Sequence, residues 1–143
     1  MLDCNTFVVS QKTKFLSSRA SFDIRDEAGQ TIGSAEQSTG LMAKLIGMVK
    51  GPPSTKIEFR AAGSDTPVFT VRRKGLLFKK VEVVDGDGTV IGRYKAKKFS
   101  ISGGFHVYDA AGQHAAEIRG KLLKSDYTFF TPDGKTELGK VSK

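Results

Sequence analysis

Between Arg72 and Lys98 the chain gathers Arg72, Arg73, Lys74, Lys79, Lys80, Arg93, Lys95, Lys97 and Lys98, opposed only by Glu82, Asp85 and Asp87. Most of the net charge of +8 therefore sits in this one stretch. Arg93, Lys95 and Lys97 alternate with Tyr94, Ala96 and Lys98, so on a strand the three cations share a face. Lysine is a compact point charge that suits phosphate oxygens and reads base edges poorly. The chemistry this implies is capture of anionic phosphate, from lipid headgroups or a nucleic-acid backbone, by Lys79, Lys80, Arg93, Lys95 and Lys97. The competing reading is a solvated strand surface whose lysines resist edge-to-edge aggregation.

Other reactive residues are sparse. His106 and His114 are the two histidines, on opposite arms of one expected hairpin, and metal sites usually draw on more ligands than that. Asp85-Gly86-Asp87-Gly88 has the look of a calcium loop, but the third acidic position and the distal glutamate are absent. It reads instead as a turn, for which Asp-Gly is favourable chemistry. No nucleophile elbow, phosphate loop or dinucleotide fingerprint occurs. We therefore expect no enzyme, no catalytic residues, no cofactor and no metal. Cys4 is the single cysteine, which rules out an intrachain disulfide and a cysteine-rich metal site and suits a reducing cytoplasm.

The elements that must carry these residues are hairpins. Phe22 and Ile24 alternate with Asp23 and Arg25, Asp26-Glu27-Ala28-Gly29 turns the chain, and Thr31–Ala35 returns. The plan recurs around turns ending at Gly63, Gly88, Gly112 and Gly134. Aspartate opens such turns by accepting backbone N–H groups, and glycine tolerates the positive φ near their end. Near-regular hairpins predict an antiparallel meander that closes into a β-barrel. Glycine after an apolar residue on the return arms (Ile32-Gly33, Ile91-Gly92, Leu138-Gly139) predicts a bend or close approach there. The spacing breaks once, at Thr39–Lys50, where Leu41, Leu45, Met48 and Val49 fall on one helical face before Gly51-Pro52-Pro53. This predicts a short amphipathic helix near 40–50, packed on the core or touching lipid.

With 143 residues, the chain is read as one domain, 1–143. Hydrophobic content of 38% and charged content of 27% argue against disorder. No signal peptide is apparent. The apolar stretch Leu41–Val49 is too short to span a bilayer, so no transmembrane segment is expected.

The opening NTFVVSQKTKF, the turns FDIRDEAGQTIG, VEVVDGDGTVIG and FHVYDAAGQHAAEI, and the closing YTFFTPDGKTELGKVSK resemble the scramblase and LURP-one-related group of the tubby-like superfamily. The resemblance spans essentially the whole chain and rests on the repeated pattern. It implies a closed barrel of about a dozen strands around a central C-terminal helix, and a link to membranes through lipid scrambling or phosphoinositide binding by a basic wall. That wall would match Lys79, Lys80, Arg93, Lys95 and Lys97 as a patch. The proline-rich leader, acylated cysteine cluster, calcium loop and inserting helix of lipid-scrambling members are missing. The central helix would begin where Lys143 ends, which reads as a C-terminal truncation.

The sequence thus leads to a non-enzymatic scramblase-related or LURP-one-like protein, cytoplasmic or peripheral at the inner membrane face, binding anionic phospholipid. A protein-interaction scaffold and non-specific nucleic-acid binding are the alternatives, with no sequence-specific nucleic-acid recognition expected.

Overall fold

The computed structural model describes residues 4–12, 20–39, 55–73, 80–97, 104–121 and 126–142. These residues form eleven antiparallel strands in one sheet whose order follows the chain. The backbone gathers into two compact units. The first takes Met1–Leu76 with Val83–Thr89, and the second takes Leu77–Glu82 with Val90–Lys143.

The first unit carries β1 (Val8–Lys12), β2 (Ala20–Arg25), β3 (Thr31–Thr39), β4 (Thr55–Ala61) and β5 (Pro67–Arg73). Its turns follow the chemistry of their residues. Between β2 and β3 the Asp26 carboxylate accepts the Gln30 N–H at 2.9 Å, and the Gly29 N–H bonds the Asp26 carbonyl at 3.1 Å. Alternation puts Ile24 and Ala35 inside, at 4% and 2% exposure, with Val84 and Thr70 also buried. Phe59 and Phe69 are direct partners across β4 and β5, and their rings stack with centroids 4.4 Å apart. Such a pair adds roughly 0.5–1.5 kcal/mol beyond its area burial.

β6 (Lys80–Asp85) is shared between the units. The second unit continues with β7 (Val90–Ala96), β8 (Phe105–Asp109), β9 (His114–Lys121), β10 (Asp126–Phe130) and β11 (Glu137–Val141). Ile118 on β9 is its buried anchor, at 6% exposure.

Four hairpins share a local irregularity. The register slips by one residue on the return arm, beside Ile32, Val68, Ala115 and Leu138. One extra residue on one strand bends that strand and sharpens its twist. Ile32-Gly33 and Leu138-Gly139 are two of the apolar-glycine pairs singled out in the sequence, and a slip falls at each.

The expected closed barrel is not found. Among the described residues β1 pairs only with β2 and β11 only with β10, and these two strands stand at the ends of the strand order. The reason is physical. Hairpin chemistry specifies each strand's neighbours, whereas closure needs a first-to-last pairing and a consistent stagger that no local turn encodes. The described residues contain no helix. The helix expected near 40–50, with Leu41, Leu45, Met48 and Val49, lies outside them. No helix among the described residues is long and apolar enough to cross a membrane.

Candidate functional site: a cation and histidine face

The site is built on β7, β8 and β9 of the second unit. Lys95 is the direct partner of His106, and Arg93 that of Tyr108. Across the next ladder His106 faces Glu117 and Tyr108 faces His114. Direct cross-strand partners put their side chains on the same face, so Arg93, Lys95, His106, Tyr108, His114 and Glu117 form one surface. Lys97 and Arg119 extend it, two residues beyond Lys95 and Glu117.

His114 joins this surface only because of the slip beside Ala115. His114 and Glu117 are three residues apart, an odd step that sends two side chains to opposite faces of a regular strand. The unpaired Ala115 absorbs one residue and returns His114 to the Glu117 side. The turn that delivers it is closed by Asp109, whose carboxylate accepts the Gln113 N–H at 2.8 Å, and by Gly112 at φ 83°.

His106 Nδ1 and His114 Nε2 are 3.3 Å apart, close enough for one ring to donate to the other. Their rings meet edge to face at 5.1 Å, and the Tyr108 ring lies 5.7 Å from that of His114. Glu117 is largely enclosed, with 15% of its side chain exposed, and its two oxygens have different partners. Oε2 accepts from Lys97 Nζ at 2.8 Å and from Arg119 Nη2 at 3.2 Å. Oε1 lies 3.6 Å from His106 Nδ1. The Arg119 guanidinium also covers the Phe130 ring, 4.6 Å from its centre.

These neighbours set the protonation states. The Lys97 hydrogen bond holds the Glu117 carboxyl below its ordinary value, with Arg119 adding to it and partial burial opposing. Burial lowers His106, the Lys97 charge pushes the same way, and Glu117 opposes both. At neutral pH the cluster is therefore a carboxylate beside a neutral imidazole, inside a ring of permanent cations.

Of the five residues predicted to meet an anion, Lys79 lies outside the described residues. Lys80 is exposed and stands 3.7 Å from Glu82, while Arg93 Nε is 3.9 Å from the same carboxylate. Lys97 is committed to Glu117. Lys95 is exposed, and among the described residues no hydrogen bond or ion pair holds it. The register puts Arg93 and Lys95 on one face and the bond to Glu117 brings Lys97 to it, but their ion pairing leaves the three unequal.

Sequence reasoning missed Glu117, His114, Tyr108 and Arg119 as members of this face. The even step from His106 to Tyr108 and from Glu117 to Arg119 was legible. The register slip that recruits His114 had no sequence signal, since alanine precedes no glycine there.

Asp85 and Asp87 do not behave as a paired acidic site. The Asp85 carboxylate accepts the N–H groups of Asp87 at 3.1 Å and Thr89 at 2.8 Å, which is the turn role.

No curated protein and no solved structure matches the chain. The family model described as LURP-one-related matches residues 67–143, which take in β5 and every strand of the site. With more than half of its length matched by that model, the chain belongs to the LURP-one-related family.

Proposed function

We propose that this chain is a non-enzymatic, scramblase-related and tubby-like module that binds anionic phospholipid headgroups through the β7–β9 face. The observation that carries the reading is Lys95, exposed and unpaired among the described residues, between Arg93 and Lys97 and beside His106. A lysine held on a strand by direct partners, with its ammonium unspent, supplies a phosphate contact without breaking any ion pair. Arg93, half-satisfied by Glu82 at 3.9 Å, is the second contact. Glu82 and Glu117 leave the face net positive, which supports attraction to an anionic leaflet and peripheral attachment at the cytoplasmic side.

Flotation with phosphatidylcholine vesicles and with vesicles containing phosphatidylserine tests the reading. Binding should rise with the anionic fraction and fall as salt is raised. Lys95→Glu should weaken it several-fold, at roughly 1 kcal/mol per charge removed near the surface. Equal, weak flotation with both vesicle types would rule out headgroup binding. A DNA mobility shift that survives physiological salt would instead assign the face to nucleic acid.

A further inference from the structure

We infer that His106, His114 and Glu117 form a binding site for a divalent transition ion of the zinc class. One ligand atom from each, two imidazole nitrogens and a carboxylate oxygen, lies within 4.8 Å of the others. The metal–nitrogen length of about 2.0–2.1 Å places neighbouring ligands of a tetrahedron ~3.3–3.4 Å apart. His106 Nδ1 and His114 Nε2 are 3.3 Å apart, and His106 Nδ1 and Glu117 Oε1 are 3.6 Å apart. The first separation equals such an edge and the second is a little longer, so the three side chains already stand near coordination spacing.

The surroundings sort the donors. Lys97 and Arg119 both bond Glu117 Oε2, which leaves Oε1 as the atom turned to His106. Outer partners of this kind fix the orientation of a ligating carboxylate. Imidazole with carboxylate suits zinc, cobalt, nickel or copper over calcium or magnesium, which prefer an all-oxygen set.

Three protein ligands leave one tetrahedral position for water or an anion. The cations Lys95, Lys97 and Arg119 oppose a bound dication, so they favour an anion in that position. Binding of the metal alone is the primary claim and stands apart from the lipid reading.

The test is titration of the tag-free full chain with Co(II) at pH 7.5, followed by the visible ligand-field bands of tetrahedral cobalt. One equivalent should saturate, and Zn(II) should bleach the bands. His114→Ala, which removes one of the three ligands, should weaken binding at least tenfold while circular dichroism is unchanged. His106→Ala should do the same, and Cys4→Ser should change nothing. Absence of tetrahedral bands overturns the inference, as does unaltered affinity in both histidine variants. Loss of binding in Cys4→Ser alone overturns it too, by moving the ion to the thiol. Vesicle flotation run in parallel with a chelator separates the two readings, because headgroup binding that persists without metal leaves the lipid reading standing.

Discussion

Lys97 directly follows β7, a strand that does not pair with β9, yet its ammonium reaches over β8 to within 2.8 Å of the Glu117 carboxylate on β9. The bond is partly enclosed, with 21% and 15% of the two side chains exposed. A lysine that the charge pattern offers as a phosphate ligand is therefore engaged in holding β7 to β9.

The consequence is a split between neighbouring cations. Lys97→Met should lower stability by about 1 kcal/mol, since it strands part of the Glu117 charge while Arg119 remains. Lys95→Met should leave the unfolding midpoint within experimental scatter, because Lys95 holds no partner among the described residues. Vesicle affinity should show the reverse order, with the larger loss at Lys95. Urea melts and flotation on the same two proteins check both halves.

Acid should act on the first unit through Glu58. Its carboxylate is hydrogen-bonded by Lys56, which is the main cause of its lowered ionisation, and Arg60 adds to this against some burial. The folded value lies below the ordinary 4.5, so the unfolded chain binds the proton more readily. Stability from this group is thus present above pH 4.5 and is lost as pH falls through the folded value. Glu58→Gln should be less stable than the parent at pH 7, and the gap should close on acidification. A gap that stays constant from pH 7 to pH 3 would show that the carboxylate charge contributes nothing.

What the sequence discloses about this fold is what short segments control. Asp26, Asp85 and Asp109 each occur where a carboxylate can close a turn, and each does so. Alternation along Arg93–Lys97 places three cations on one face; the register agrees for Arg93 and Lys95, and the bond to Glu117 puts Lys97 beside them. Two things were illegible because they depend on partners distant in sequence. Ion pairing decides which of the aligned cations is free, and Glu117 makes that choice for Lys97 from β9. The slip at Ala115 decides which face His114 takes, and nothing in His-Ala-Ala-Glu distinguishes the slipped strand from the regular one. Closure into a barrel was over-read for the same reason, since identical hairpins serve open and closed sheets alike.

The turn at Asp85 has a test that also discriminates its two readings. The Asp85 carboxylate accepts two backbone N–H groups, from Asp87 and Thr89. Asp85→Ala should cost about 1–2 kcal/mol, in line with loss of a capping carboxylate and exposure of its donors to water. Addition of Ca²⁺ should shift the melting temperature of neither parent nor variant. A calcium-dependent rise in the parent that vanishes in the variant would restore the metal-loop reading and remove the turn account.

Gly112 controls the hairpin that presents both histidines, and its role can be separated from packing. A Cβ built there meets nothing within 4 Å, while φ is +83°, so any cost of substitution is backbone strain alone. Left-handed backbone costs an L-residue with a Cβ roughly 1–2 kcal/mol, and asparagine is the residue that tolerates it best after glycine. Gly112→Ala should therefore destabilise by about 1 kcal/mol and Gly112→Asn by much less. The Gly112 N–H also bonds the Asp109 carbonyl at 3.1 Å, so relaxation of the turn to negative φ would break the loop that sets the β9 register. Histidine chemical shifts report this directly. In Gly112→Ala the resonances of His106 and His114 should broaden or move, and in Gly112→Asn they should stay near the parent positions. Equal destabilisation by alanine and asparagine would show that the conformation at residue 112 is not what holds the histidine face.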